Sequence, residues 1–188
     1  MIVAIGGSAG SIDALREVLA PLPARTSASL VLTIHVSPDH PSLLAPVLAS
    51  FTQLAVDEAL DKMPLRPATI IVAPPDYHLL VEREPWVSLS RDPALHFSRP
   101  AIDPLFSSVA RAAGAAAVGV LLSGANDDGA DGLAELARCG ARIAVQDPST
   151  ATSPEMPLAA IARCTPSLIG SPQAIGAWLA TLMTPESR

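Results

Sequence analysis

Short runs of consecutive apolar residues alternate along this chain with stretches where apolar positions recur every three or four residues. Ile2–Ile5 is an apolar run that stops at Gly6-Gly7, and Leu30–Ile34 (LVLTI) is a second that stops at His35, ahead of Pro38 and Pro41. Runs of this length bounded by turn residues predict buried strands. Val118–Leu122 and Arg142–Gln146 predict two more, and a short strand is expected near Ser167–Ile169. Between these runs the period changes. Ile12, Leu15, Val18, Leu19 and Leu22 fall on one helical face, with Ser11 as N-cap and Pro21 and Pro23 closing the helix. A helix is expected over Ser42–Phe51, with Pro46 acceptable only in its first turn, where a missing amide has no helical acceptor. Asp103-Pro104 starts another, which runs to Ala113 and stops at Gly114. Gly129–Cys139, Pro157–Arg163 and Pro172–Met183 complete the predicted helices.

This alternation predicts an α/β fold, a doubly wound and mostly parallel sheet with helices on both faces. Thr69–Ala73, Leu79–Glu82 and Trp86–Ser90 depart from it. Short polar or proline-containing turns join them, so they predict a small antiparallel excursion, a hairpin at one edge of the sheet. The chain has no repeat and no linker, and its 188 residues are expected to form one domain, 1–188.

Composition then removes several classes of function. With 49% hydrophobic and 16% charged residues, a disordered chain is disfavoured. The net charge is −6, Lys62 is the only lysine and no basic run occurs, so nucleic acid is not an expected partner. No apolar run approaches the about 20 residues of a membrane helix, and no basic leader precedes the first strand, so a cytoplasmic protein without membrane insertion is expected. Cys139 and Cys164 belong to no Cys/His cluster and are expected to be free thiols. His40, His78 and His96 lack metal-ligand spacing and are expected at the surface or in turns. No metal or cofactor is expected.

In open parallel sheets ligands bind outside the carboxyl ends of the strands. Ser8 follows the first predicted strand, His35 ends the second, and Asp128 lies in the loop after Val118–Leu122. Parallel strands bring such ends to one side. The three side chains are chemically complementary: a hydroxyl nucleophile, a base that takes its proton, and a carboxylate that fixes the base's tautomer. Gly6-Gly7-Ser8-Ala9-Gly10 also fits G-x-S-x-G, a strand-to-helix turn that exposes a serine. The amides of Ala9 and of the Ser123–Asp127 loop are candidate oxyanion donors beside a helix N-terminus. Ser8, Asp61 and His78 form an alternative set in a different chain order, ranked below the first.

The same residues resemble a known family, the catalytic domain of the CheB-type chemotaxis protein-glutamate methylesterase. The resemblance runs through IGGSAG at 5–10, the histidine in TIHVSPDHP, APPDYH at 73–78, SRPAID at 98–103, VGVLLSGANDDGADG at 118–132 and EMP at 155–157, in family order. It implies a doubly wound α/β domain with an antiparallel hairpin. It also implies hydrolysis of glutamyl γ-methyl esters on chemoreceptor cytoplasmic helices, with release of methanol, and deamidation of receptor glutamines as a related activity. By position it assigns Ser8 as nucleophile, His35 as base, Asp128 rather than Asp127 as orienting carboxylate, and the backbone of Ala9 and Ala125 as the oxyanion hole. Asp127 is then expected to be a solvated loop or turn residue. Arg99 in SRPAID is expected either to contact substrate or to form a structural ion pair. The chain departs from the family pattern at Ala9, Ser11, Ile34, Ser123, Ala125 and Asn126.

The resemblance implies a methylated chemoreceptor or similar methyl-accepting protein as partner. Family members carry an N-terminal receiver domain, and here the first strand begins at Met1. The expectation is a stand-alone catalytic domain, with regulation by a separate receiver protein as one option. The alternative reading is a non-catalytic binding module of the same fold, and the departures at Ala9, Ala125 and Asn126 motivate it.

Overall fold

A computed structural model describes residues 1–36 and 42–184. Within them the elements follow as β1 (Ile2–Gly7), α1 (Ser11–Leu19), β2 (Ser29–Ile34), α2 (Leu44–Ala49), β3 (Ala55–Glu58), β4 (Thr69–Val72), β5 (His78–Val81), β6 (Val87–Ser90), α3 (Ile102–Ala113), β7 (Ala117–Leu121), α4 (Ala130–Arg138), β8 (Arg142–Gln146), α5 (Glu155–Arg163), β9 (Leu168–Gly170) and α6 (Pro172–Met183). Seven strands form one parallel sheet in the order β3-β4-β2-β1-β7-β8-β9, and β5 pairs antiparallel with β6 as a separate sheet. This is the expected α/β architecture.

β1, β2, β4 and β7 are apolar because both of their faces are covered. On one face Val3, Ile5, Leu30 and Leu32 pack with Leu15 and Val18 of α1, Leu48 of α2 and Ile175 and Leu179 of α6. On the other, Ala4, Val31 and Ile71 pack with Phe106 of α3, Leu133 of α4 and Met156 of α5. Each fully buried large aliphatic or Phe side chain contributes about 1.5–3 kcal/mol, so two cores of this size hold the sheet from both sides.

The structure corrects several expectations. Thr69–Val72 is not part of the antiparallel excursion. It lies inside the main sheet, parallel to β2 and β3. Its four residues are all buried, which a two-stranded hairpin with one solvent face does not provide. Nor does the β5–β6 pair extend the sheet edge: Leu79, Val81 and Val87 pack into the core that α3 helps form. β3 was not expected at all, since AVDE is mostly exposed and carries two carboxylates, as suits an edge strand. The N-cap of α1 is Gly10 (φ 78°) rather than Ser11, whose hydroxyl turns back to donate to the Ser8 carbonyl. Pro46 does lie in the first turn of α2. Pro38, His40 and Pro41 lie outside the described residues.

The chain leaves β1 toward β2 on one side and later returns to β7 on the other. The carboxyl ends of β1, β2 and β7 therefore border the crevice where strand order reverses. Among the described residues no helix is long and apolar enough to cross a membrane, and both cysteines are free.

Candidate active site

Parallel pairing puts Gly7 of β1 level with Ile34 of β2, so Ser8 and His35 leave adjacent strands side by side. The His35 amide donates to the Gly7 carbonyl at 3.3 Å, and the Ser8 amide donates to the Ser123 carbonyl beyond β7 at 2.8 Å. The Gly7–Ser8 peptide is thus tied to both neighbouring strands. The turn then closes through Gly10, whose positive φ suits glycine and strains a side chain. The Ser8 carbonyl accepts the Ser11 amide at 3.0 Å and the Ser11 hydroxyl at 2.6 Å. Ser8 itself is half-buried, at the positive end of α1.

Asp128 is fully buried. Its Oδ2 accepts His35 Nε2–H at 2.7 Å and the Ile102 amide at 2.7 Å, and its Oδ1 accepts the Asp103 amide at 3.0 Å. Those two amides open α3. Burial by itself raises the pKa of this carboxyl, but the His35 ring and the two amides outweigh it and hold it below the ordinary 3.8. The ionised carboxylate keeps the His35 proton on Nε2, so in the neutral ring Nδ1 carries the lone pair that can act as a base. The first turn of α3 reaches Asp128 only because β1 ends in glycine: a Cβ on Gly6 would stand 2.3 Å from Ile102 Cγ2.

The amides of Ala9 and Ala125 make no hydrogen bond among the described residues, whereas the neighbouring Gly124 amide is spent on the Ser153 carbonyl. Beside them sits Ser123, a buried residue of the 123–128 loop. Its hydroxyl donates to the Ala9 carbonyl at 2.6 Å and accepts the Ser153 amide at 2.9 Å, while its own amide donates to Gln146 Oε1 at 2.9 Å. Ser123 and Gln146 hold the serine turn against the 123–128 loop. Nothing in their spacing marked them, because their partners come from three separate strand ends.

The remaining candidates are engaged elsewhere. Arg99 donates through Nε to Asp76 Oδ1 at 2.9 Å, through Nη2 to the same atom, and through Nη1 to the carbonyls of Arg91 and Asp92. This is the structural ion pair that stood beside substrate contact as its option, and it holds Asp76 below its usual range. Asp127 is a half-exposed loop residue that also forms ion pairs: Arg163 Nη2 lies 2.7 Å and His96 Nδ1 3.2 Å from its carboxylate. Asp61 accepts the Leu89 amide, and His78 is bonded to Ala101 and Pro93, so the alternative set is not assembled around Ser8. His78 is also 2% exposed, which corrects its placement at the surface. Met156 is fully buried and packs on Gly124.

Donor atoms of His96, Asp103 and Asp128 lie within 4.8 Å of one another. Most of their oxygens are already engaged: Asp128 takes three N–H donors, Asp103 Oδ1 accepts the Gly132 amide at 2.7 Å, and His96 Nε2 stands at ion-pair distance, 3.4 Å, from Asp103 Oδ2. Burial, together with the nearby charges of Asp128 and Asp131, raises the Asp103 pKa above 3.8.

Comparison with known proteins gives one consistent outcome. The family model described as CheB methylesterase matches residues 3–179. A putative protein-glutamate methylesterase/protein-glutamine glutaminase of Leptospira interrogans is 36% identical over 159 residues, which cover 85% of this chain and 82% of that protein. A protein-glutamate methylesterase/protein-glutamine glutaminase of Xanthomonas oryzae pv. oryzae is 39% identical over 165 residues, 86% of this chain but 47% of the relative, so the chain spans about half of that longer protein. The crystal structure of the Thermotoga maritima CheB methylesterase catalytic domain superposes with a TM-score of 0.91 at 27% identity, covering 97% of this chain and 98% of that one.

Proposed function

The chain belongs to the CheB methylesterase family, and from that premise we propose that residues 1–188 form a catalytic domain that hydrolyses glutamyl γ-methyl esters. The substrate in this reading is a methylated chemoreceptor or similar methyl-accepting protein, and the product alcohol is methanol. The observation that carries the reading is the 2.7 Å contact of buried Asp128 with half-buried His35, at the strand end beside Ser8.

Ser8 Oγ attacks the ester carbonyl carbon while His35 Nδ1 takes the hydroxyl proton. The carbonyl oxygen becomes an oxyanion facing the amides of Ala9 and Ala125, each such donor worth about 10²–10³ in rate. Asp128 stabilises the imidazolium without taking its proton. His35 then delivers the proton to the departing methoxide, methanol leaves, and an acyl ester on Ser8 remains. Water attacks that ester with His35 again as base, releasing the glutamate side chain and restoring Ser8. The same attack on a glutamine side chain expels ammonia in place of methanol, which supports deamidation as a companion activity. Control by a separate receiver protein and a cytoplasmic setting belong to the same reading.

The deciding experiment measures methanol release from methylated receptor membranes by the wild type and by Ser8→Ala, together with covalent labelling by a fluorophosphonate. Wild-type release that is lost in Ser8→Ala, with label on Ser8, is the expected result. Full activity in Ser8→Ala overturns the nucleophile assignment. A folded wild type that neither labels nor releases methanol makes the chain a binding module.

A further inference from the structure

Resting on the Ser8–His35–Asp128 reading, we infer that His78 is a positioning residue for the triad, acting on Asp128 through the first turn of α3. His78 opens β5, is 2% exposed, and uses both ring nitrogens. Nδ1 stands 3.1 Å from the Ala101 amide, and Nε2 stands 3.2 Å from the Pro93 carbonyl. A backbone N–H can only donate and a carbonyl can only accept. The two partners therefore assign the proton: His78 is neutral, with the lone pair on Nδ1 and the hydrogen on Nε2.

What the ring holds gives this arrangement its consequence. Ala101 is the N-cap of α3, and its amide is one of the orphan donors of a helix start. The next two amides along the chain, Ile102 and Asp103, hold Asp128 by its two oxygens. Anchoring Ala101 sets the height and rotation of that turn, and so the position of the carboxylate that orients His35. The second bond acts from the other side. Pro93 belongs to the segment that carries His96 onto Asp103 and Asp127, the residues flanking Asp128 in space and in sequence. One imidazole thus braces both walls of the pocket that holds Asp128, without reaching substrate. An aliphatic side chain of similar size fills the volume but offers Ala101 no acceptor, leaving a buried donor unpaired.

The test compares wild type, His78→Leu, His78→Asn and His78→Gln, with Ser8→Ala as the activity control, in steady-state methyl-ester hydrolysis. The low-field proton resonance of His35 Nε2–H is recorded in parallel. His78→Leu is expected to lower kcat by about 10–100-fold with KM within about twofold, the scale of a misplaced catalytic group, and to shift the His35 resonance. His78→Asn, which can place an acceptor near the former Nδ1, is expected to recover most of the kcat and the resonance position. His78→Gln, whose amide reaches toward Nε2, is expected to recover less. If His78→Leu does not fold, the order of Asn over Gln carries the test.

The positioning role is overturned by wild-type kcat in folded His78→Leu, by equal losses in the folded Asn and Gln variants, or by an unmoved His35 resonance. Retained activity in Ser8→Ala overturns instead the reading on which the inference rests. The resonance still decides in that case whether His78 sets the Asp128–His35 contact.

Discussion

Asp128 receives more donors than any neutral replacement can satisfy. Its two oxygens accept three N–H groups, from His35, Ile102 and Asp103. An asparagine has one acceptor oxygen and a donating amino group. Turned one way it faces the Asp103 amide with another donor. Turned the other way it faces the Ile102 amide and offers a hydrogen to His35 Nε2, which forces the wrong tautomer. Asp128→Asn is therefore expected to keep the fold and to lower kcat by about 10⁴, the loss that the equivalent change produces in a serine protease, as measured by methanol release. The neighbouring Asp103 has the opposite electrostatics. Burial raises its pKa above the ordinary 3.8, so in acid the folded protein holds a proton that the unfolded chain has released. Its ionisation costs stability as pH rises through that window, and the cost is absent below the unfolded value. The stability of the wild type relative to Asp103→Asn is expected to fall as pH rises above about 4 and then level off, as read by denaturant unfolding at a series of pH values. A difference that is flat with pH, or that grows in favour of the wild type, contradicts this account of Asp103.

At the scale of elements, the site is an arrangement of two helix starts around one strand end. α1 begins behind Ser8, and α3 begins over Gly6 with its first amides on Asp128. The packing there has no slack, because a Cβ at Gly6 meets Ile102 Cγ2 at 2.3 Å and Leu121 Cδ1 and Phe106 Cζ at 3.1 Å each. Gly6→Ala is expected to cost about 1–3 kcal/mol in chemical denaturation, as overpacked cores do. It should also lower kcat more than it changes KM, because the displaced turn carries Asp128 with it. Unchanged stability would mean that α3 can retreat freely. The sequence marked most of these elements. Continuous apolar runs identified β1, β2, β7 and β8, since only strands buried on both faces need them. It misassigned Thr69–Val72, because a short apolar run reads the same in a hairpin and in a parallel sheet, and its partner β2 lies far back along the chain. It missed β3 because four residues with two acids hold no period.

For the molecule as a whole, charge opposes the proposed substrate. The net charge is −6, and a segment bearing glutamyl esters also bears the carboxylates from which they are made. The screening length falls from about 10 Å at 0.1 M salt to about 3 Å at 1 M. Encounter between two acidic partners is therefore slowed at low ionic strength, and kcat/KM on receptor membranes is expected to rise with added sodium chloride while kcat changes little. A fall in kcat/KM points instead to attraction through a local basic patch that outweighs the overall charge.

The sequence by itself determined the fold class and marked the groups proposed to react. Hydrophobic period reports burial locally, and a serine in a glycine turn, a histidine and an aspartate at strand ends carry their chemistry wherever the chain puts them. It also marked Arg99 and Asp127 as residues of interest without saying what they touch. Only the tertiary structure decided that Asp76 holds Arg99 and that Arg163 and His96 hold Asp127. It decided too that His35 turns Nε2 to Asp128, that Ser123 bonds to Ala9 and Gln146, and that His78 bonds to Ala101, all far apart in the chain. The physical reason is that a side chain's partners are set by which strand ends and helix starts meet in space, and hydrogen bonds between distant segments leave no periodic trace in the residues that make them.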